Sequence, residues 1–162
     1  MGKNILLSVD AVHYAPEATQ MAKELWHGTE DKIIILHVHE FAVGRFGRLQ
    51  VDCAEGEAER LVTSIRTSLR EADIRAEAEI RETHVGQIAK AIVQAANEHD
   101  ARMIVLGSAH GTDLPHIPIG SVSLKVLHLA RRPVIVVPRQ PVPAREQHVV
   151  STRGVAAVPV TL

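Results

Sequence analysis

The chain has 162 residues, of which 46% are hydrophobic and 23% charged. This composition is typical of one globular domain with a short tail, and it excludes disorder throughout. Eighteen basic residues against nineteen acidic ones give a formal net charge of −1, which supplies no basic stripe for a nucleic-acid partner. Apolar runs such as Ile33–Leu36 and Val134–Val137 are far shorter than the ~20 residues of a membrane span. With no signal-peptide pattern at the N-terminus, the sequence predicts a cytoplasmic protein without a membrane partner.

The first elements follow from apolar periodicity. Ile5–Val9 is a short apolar run that ends at Asp10, and it predicts a strand. Pro16 suits the first turn of a helix, because its missing N–H would be unpaired there in any case, and Gly28 is a plausible stop. The second predicted strand, Lys32–His39, contains four consecutive apolar residues, as expected for a strand that is covered on both faces.

The middle of the chain mixes a glycine-rich segment with clear periodicity. Phe41–Gln50 contains two glycines and two arginines, and we interpret it as a long loop. Its arginines, Arg45 and Arg48, either reach over a site or simply lie in solvent. Helical spacing follows over Val51–Ala72. Strict alternation over Ile74–Glu82 then predicts a strand with one solvated face, or an edge strand protected by its charges.

The remaining elements repeat the alternation of helix and strand. Gln87–His99 predicts a third helix, and Met103–Leu106 a fourth buried strand that ends where Gly107 allows a sharp turn. After a loop rich in Gly, Pro and His, Ser121–Arg131 predicts a fourth helix. Pro133–Pro138 predicts the fifth strand.

Five strands alternating with four helices predict an α/β fold with an open, parallel five-stranded sheet, strand order 3-2-1-4-5, and helices on both faces. We expect this domain to span residues 1–138. Residues 139–162, with three prolines and little periodicity, are expected to form a tail that is either poorly ordered or packed on a sheet edge. In such a sheet a ligand binds beyond the carboxyl ends of the strands at the switch point, here near Asp10 and the loop that starts at Gly107.

The sequence from Gly107 to Ser123 offers a phosphate site. Gly120 and Ser121 open the fourth predicted helix, where free N–H groups and the positive end of the helix dipole favour an anion. The hydroxyls of Ser121 and Ser123 could contact the same phosphate. The alternative is an ordinary turn with a helix cap, since Gly-Ser is common there too.

The chain resembles the universal stress protein family across residues 1–138. The resemblance is carried by Ile5-Leu6-Leu7-Ser8-Val9-Asp10, by Leu36-His37-Val38, by Val105-Leu106-Gly107-Ser108, by Gly120-Ser121-Val122-Ser123 and by Pro133–Pro138. It implies a Rossmann-like fold similar to that of the adenine nucleotide alpha hydrolases, and a stress-response module rather than an enzyme. It also implies ATP, with magnesium, as the ligand.

The resemblance assigns roles to individual residues. Members that bind ATP show Gly-x2-Gly-x9-Gly-(Ser/Thr), which this chain keeps at the first and last glycine but replaces by His110 in the middle. Asp10 matches the acidic residue directed at the ribose, and Val38 matches the valine that faces adenine. Ala11-Val12 is bulkier than the Gly-Ser that often follows the aspartate. The nucleotide-binding residues implied are Asp10, Val38, Leu106, Gly107, His110, Gly120, Ser121, Val122 and Ser123.

Two functions of different class remain open. In the first, the chain binds ATP or a related adenine nucleotide and signals by ordering of the loop between Ser108 and Ile119. In the second, His110 closes the phosphate loop and the chain is a dimeric protein-interaction module. Bulk at Gly120 would weaken only the first, whereas changes on the fifth strand would affect the second.

The catalytic and metal-binding patterns that we sought are absent from the sequence. No His-x-x-His, Ser-Gly-Gly-x-Asp-Ser or Gly-x4-Gly-Lys-(Ser/Thr) motif is present, so no catalytic residue is assigned. His37 and His39 share a strand face, and with His13, His110 and His116 they suggest a metal site; without a His-x3-His pair we predict none. We then interpret His37 as a structural residue at the end of the strand. His39 and His110 could equally face solvent. The single cysteine, Cys53, is interpreted as an inert, partly buried thiol.

The fifth strand predicts a partner. A flat, apolar strand over Val134–Val137 at the edge of a sheet is rarely left uncovered. Antiparallel pairing with a second copy would cover it in a symmetric homodimer, and the resemblance implies the same. The alternative is that residues 139–162 fold back over this edge.

Overall fold

The computed structural model describes residues 3–28, 30–51, 53–108 and 119–138. The predicted tail, residues 139–162, lies outside them. In chain order the elements are β1 (Asn4–Ser8), α1 (Pro16–Leu25), β2 (Ile33–Gly44), β3 (Gly47–Gln50), α2 (Glu57–Glu71), β4 (Ala76–His84), α3 (Ile88–Glu98), β5 (Ala101–Ser108), α4 (Ser121–Leu129) and β6 (Val134–Pro138).

The parallel part of the sheet has the predicted order. β1 pairs with β2 on one side and β5 on the other, β6 pairs with β5, and β4 pairs with the free side of β2. The order β4-β2-β1-β5-β6 is the predicted 3-2-1-4-5 with the strands renumbered. β4 lies at one edge, which agrees with its alternating, charged sequence.

The interpretation of Phe41–Gln50 as a loop is wrong. β2 continues to Gly44, and β3 returns antiparallel to it, so the described sheet has six strands and is not wholly parallel. Gly47, at φ 117°, allows the tight reversal. Phe41 pairs with residues of both β3 and β4, so β3 extends the sheet on the β1 side of β2, beyond the end of β1.

Two further boundaries differ from expectation. α2 begins at Glu57 rather than at position 51, after Gly56 in the left-handed region at φ 74°. β5 continues through Gly107 to Ser108, so Gly107 pairs with Val137 inside the sheet and is not the turn that the sequence predicted.

Helices cover both faces of the sheet, as predicted. α1 and α2 pack on one face with Ile5, Leu7 and Ile35, whereas α3 and α4 pack on the other with Leu6 and Ile34. Because β1 and the start of β2 are buried on both faces, their apolar residues are consecutive rather than alternating. No helix in the described stretches is long and apolar enough to cross a membrane.

Candidate functional site

A cleft lies at the carboxyl ends of β1 and β5, where the sheet's chain connections diverge to opposite sides. This is the switch point at which open α/β sheets bind ligands. The cleft has a volume of about 360 Å³, which is within the usual range for small-molecule sites. The sequence-predicted residues that line it are Asp10, Val38, Leu106, Gly107, Ser121, Val122 and Ser123.

Asp10 is held at the mouth of the cleft by its own loop. Its Oδ1 accepts a hydrogen bond from the Val12 N–H at 2.9 Å, and its Oδ2 lies 3.1 Å from Nδ1 of His13. The side chains of Asp10 and His13 are each 52% exposed. Short aspartate side chains often bond the backbone two residues on, which fixes their direction. The carboxylate is therefore oriented but still accessible to a ligand.

Gly107 allows a close approach of α1 to β5. A Cβ atom placed on Gly107 would lie 2.6 Å from Cβ of Ala15, closer than real Cβ contacts allow. A glycine is needed here for packing, which is a different reason from the sharp turn expected from the sequence. The packing brings the loop that carries Asp10 over the end of β5.

The start of α4 brings the backbone N–H groups of its first turn to the cleft. Gly120 is the N-cap and offers no side-chain hydrogen bond, and the first bond within the helix runs from the Leu124 N–H to the Gly120 carbonyl. The N–H groups of the first turn are thus left for other acceptors. Ser121 is exposed, but Ser123 is buried and its hydroxyl donates to the Gly107 carbonyl at 3.4 Å. Ser123 therefore ties α4 to β5, in addition to lining the cleft.

One wall of the cleft is apolar. Val38 and Leu106, each at least 95% buried, come from the middle of β2 and from near the end of β5, and Val122 comes from α4. Ile88 and Ile92 of α3 complete this wall, although sequence analysis did not assign them to the site. Their helical spacing marked them only as core residues, and nothing in the sequence shows that α3 borders the switch point.

Other cleft residues were missed because β2 is longer than predicted. The extension of β2 places Glu40 at the cleft, where its Oε1 accepts a hydrogen bond from the Gly86 N–H at 2.7 Å. The β2–β3 hairpin brings Val51 to the same cleft, with its N–H donating to the Glu40 carbonyl. Arg48 points elsewhere: its guanidinium lies 3.6 Å from the Phe41 ring centroid and pairs with Glu82 at 2.6 Å.

Among the described residues, the histidines of the predicted set do not assemble as one group. His13 contacts Asp10, whereas His37 and His39 are both buried in β2, so His39 does not face solvent. His110 and His116 lie outside the described residues, and the placement of His110 opposite a phosphate stays a prediction. His37 lines the cleft and Cys53 lies beside both buried rings, a contact that the sequence gave no reason to expect.

The fold and the switch-point cleft together define an α/β protein with a candidate small-molecule site. The sequence matches the universal stress protein family over residues 1–138, and the chain belongs to that family. No functionally curated protein matches the sequence significantly.

Solved structures agree with the fold. The hypothetical protein MJ0577 is 21% identical, with a TM-score of 0.63 over 88% of this chain and 99% of its own. A universal stress protein from Archaeoglobus fulgidus is 20% identical, with a TM-score of 0.62 over 85% and 99%. A universal stress protein from the same organism in complex with dAMP is 21% identical, with a TM-score of 0.58 over 83% and 96%. At these identities the likeness establishes the fold.

Proposed function

We propose that this chain is a stress-response module that binds an adenine nucleotide, with ATP as the leading ligand, in the switch-point cleft. The observation that carries the proposal is the combination found there. An accessible carboxylate, an apolar wall and an uncapped helix N-terminus surround a single cleft. These features match the three parts of a nucleotide, which are the ribose hydroxyls, the base and the phosphates.

Relatives of the same fold support this choice of ligand. Solved structures of universal stress proteins are described in complex with dAMP, in complex with cAMP and, from Arabidopsis thaliana, with AMP bound. These ligands share adenine and a pentose, whereas dAMP lacks the 2′-hydroxyl and cAMP has a cyclic rather than a free phosphate. Recognition of the nucleoside is therefore the part most readily extended to this chain.

Each polar group has a definite part in the proposed complex. Asp10 accepts hydrogen bonds from ribose hydroxyls, because each carboxylate oxygen can accept more than the one bond it receives from its own loop. Val38 and Leu106 contact the base. The first N–H groups of α4 bind a phosphate, aided by the helix dipole. Magnesium would act as a counter-ion on the phosphates.

The proposal requires no turnover, and the output would be ordering of the segment between Ser108 and Ile119 around the ligand. Neither the loop nor His110 within it belongs to the described residues. Val12 is 51% exposed and lines the cleft beside Asp10, so a bound nucleotide would have to accommodate a side chain bulkier than the Gly-Ser of the resembling proteins.

The test is calorimetric titration of ATP, with magnesium, into protein that has been unfolded and refolded to remove any ligand carried through purification. We expect saturable binding that Asp10→Asn weakens strongly, because the amide keeps the Val12 contact but loses the charge. Asp100→Asn is the matched control: Asp100 lies before β5, at the other end of the sheet, with a φ of 45° that asparagine tolerates. Absence of binding by the folded, stripped protein would overturn the proposal.

A second candidate function is a dimeric interaction module, and the edge of β6 favours it. The Ile104 N–H donates to the Pro133 carbonyl, so the backbone groups of Val134 and Val136 point away from β5. In the described part of the chain nothing pairs with that edge. α4 packs beside β6 and leaves three large apolar side chains exposed, Leu124, Leu127 and Leu129. A second copy pairing with β6 would cover both features.

A further inference from the structure

Two buried imidazoles and the only thiol of the chain lie together beneath the cleft. His37 and His39 are 3% and 7% exposed, and Cys53 is half-buried. The Cys53 Sγ lies 3.9 Å from Nε2 of His37 and 3.7 Å from Nδ1 of His39. One ligand atom from each of the three residues lies within 4.8 Å of the others. This group is separate from the residues proposed to bind nucleotide, although His37 borders both.

The spacing of these atoms is close to that of a tetrahedral metal centre. With bonds of about 2.3 Å to sulfur and 2.0–2.1 Å to nitrogen, tetrahedral geometry separates a sulfur from a nitrogen ligand by roughly 3.5 Å. The two observed sulfur-to-nitrogen distances exceed this by only a few tenths of an ångström. The two ring nitrogens lie within 4.8 Å of each other, so a rotation of the His39 ring together with a small movement of the half-buried Cys53 would bring all three atoms within bonding distance of one ion.

The hydrogen bond of His37 also suits a metal ligand, whereas at His39 an amide donor occupies the proposed ligand atom and would have to be displaced. Nδ1 of His37 lies 3.0 Å from the Val9 carbonyl, which can only accept, so Nδ1 carries the proton and Nε2 presents a lone pair towards Cys53. Such a bond from the distal ring nitrogen to a carbonyl is the usual support of a metal-bound histidine. At His39, the Gln50 amide Nε2 lies 3.2 Å from Nδ1, so the amide donates to a lone pair on that nitrogen.

Gln50 also stabilises the cysteine backbone. Its amide donates to the Cys53 carbonyl at 3.0 Å. β3 thus holds the segment that carries Cys53 against β2, which carries both histidines. Gln50 could keep this bond while Nδ1 of His39 turned to an ion.

We propose that His37, His39 and Cys53 form a binding site for a thiophilic transition-metal ion of the zinc class. Two imidazoles and one thiolate are ligands that zinc prefers, whereas magnesium and calcium prefer oxygen. Binding joins Zn²⁺ to Nε2 of His37, Nδ1 of His39 and Sγ of Cys53, and the thiol proton leaves to solvent. The site is independent of whether the cleft binds nucleotide.

The first test uses the reduced, metal-stripped full chain without nucleotide. Co²⁺ is titrated as a spectroscopic substitute, and Zn²⁺ is then added in competition with a chromophoric chelator. We expect one ion per chain, a thiolate-to-cobalt charge-transfer band in the near ultraviolet, and loss of that band when Zn²⁺ displaces Co²⁺. Absence of the band in the folded wild-type protein would overturn the proposal without any mutant.

Variants locate the site. Cys53→Ser should abolish the band and lower zinc affinity by at least about 100-fold, because even the outer partners of a metal ligand account for 10–100-fold. His39→Gln should have a similar effect. His27→Gln is the matched control, since His27 is exposed beyond α1 and should bind metal as the wild type does. Equal affinity in the wild type and in folded Cys53→Ser would place the metal elsewhere and overturn the assignment.

Discussion

Gly107 of β5 and Ala15, the N-cap of α1, are packed so closely that no side chain fits between them. A Cβ on Gly107 would lie 2.6 Å from Cβ of Ala15 and 4.0 Å from Cβ of Ala18. Because Gly107 is also paired to Val137 within the sheet, it cannot easily move away from α1. This contact determines how near the start of α1, and hence the loop of Asp10, comes to the cleft.

Replacement of Gly107 by alanine should therefore destabilise the fold. The added methyl group must displace α1 from the sheet, and overpacking of this kind costs about 1–3 kcal/mol of unfolding free energy. Urea denaturation at neutral pH measures it. Gly28→Ala is the control, because a Cβ there meets no atom within 4 Å, and it should change stability by less than about 0.5 kcal/mol. Equal stability of the two variants would contradict the packing role of Gly107.

A charge cluster on the outer strand β4 predicts a dependence on acid pH. Glu79 accepts hydrogen bonds from Arg81 and His99, and Arg81 also donates to Glu98 at 2.5 Å. Burial by itself raises the pKa of Glu79, but the hydrogen bonds from Arg81 and His99 outweigh it and hold that pKa below the ordinary 4.5. A lowered pKa in the folded state stabilises the protein above the unfolded pKa, and that stabilisation is lost as the pH falls through the folded value.

Glu79→Gln should therefore lower stability at neutral pH by roughly 1–3 kcal/mol, since it removes hydrogen bonds to a charged group. Below about pH 4.5 the difference from the wild type should shrink, because the Glu79 carboxyl of the unfolded wild type takes up a proton there, and it should be lost once the pH falls below the lower pKa of folded Glu79. Thermal unfolding from pH 7 to pH 3 checks both expectations. The exposed Glu59 of α2 supplies the control Glu59→Gln. A stability difference that stayed constant over this range would contradict the titration of Glu79.

The order of the parallel strands could be predicted because a strand that is buried on both faces has consecutive apolar residues in its sequence. Consecutive apolar residues over Ile33–Leu36 indicate a central strand, whereas the alternation in β4 indicates an edge. The β2–β3 hairpin could not be predicted, because its residues beyond position 42 are all exposed. Backbone pairing holds it together, and because its apolar residues Val43, Phe46 and Leu49 are exposed as well, burial imposes no periodicity on this part of the sequence.

The cleft was predictable only where local sequence reflects topology. Asp10 follows β1 and Ser121 begins α4, so the strand order alone brings them together. The contacts of Cys53 with the two imidazoles depend on the β2–β3 hairpin, so they could not be predicted from the sequence. The closeness of Gly107 to Ala15 is likewise a property of tertiary packing. In a sequence, a glycine that is needed for close packing looks the same as a glycine that is needed for a turn.

Substitution of Gly120 should separate binding of nucleotide from mere folding. Gly120 has φ −66° and ψ 158°, a conformation open to any residue, so a side chain there causes no backbone strain. Both Gly120→Asp and Gly120→Asn should cap α4 without loss of stability. Only the aspartate adds a negative charge where a phosphate would bind, so it should weaken ATP binding by about tenfold more than the asparagine, or about 1.4 kcal/mol. Calorimetry with AMP and ATP measures this, and equal affinities for the two variants would exclude α4 as the phosphate site.

The dimer can be tested by removing one outward-facing backbone donor from β6. Val136 directs its N–H away from β5, so Val136→Pro leaves the β5–β6 hydrogen bonds in place but removes a donor from the free edge. We expect the wild type to sediment as a dimer and Val136→Pro as a folded monomer. Val136→Thr keeps the β-branched shape and the N–H, and it should remain dimeric. Sedimentation velocity with circular dichroism distinguishes lost pairing from lost folding, and a dimer that survives in Val136→Pro would place the interface away from this edge.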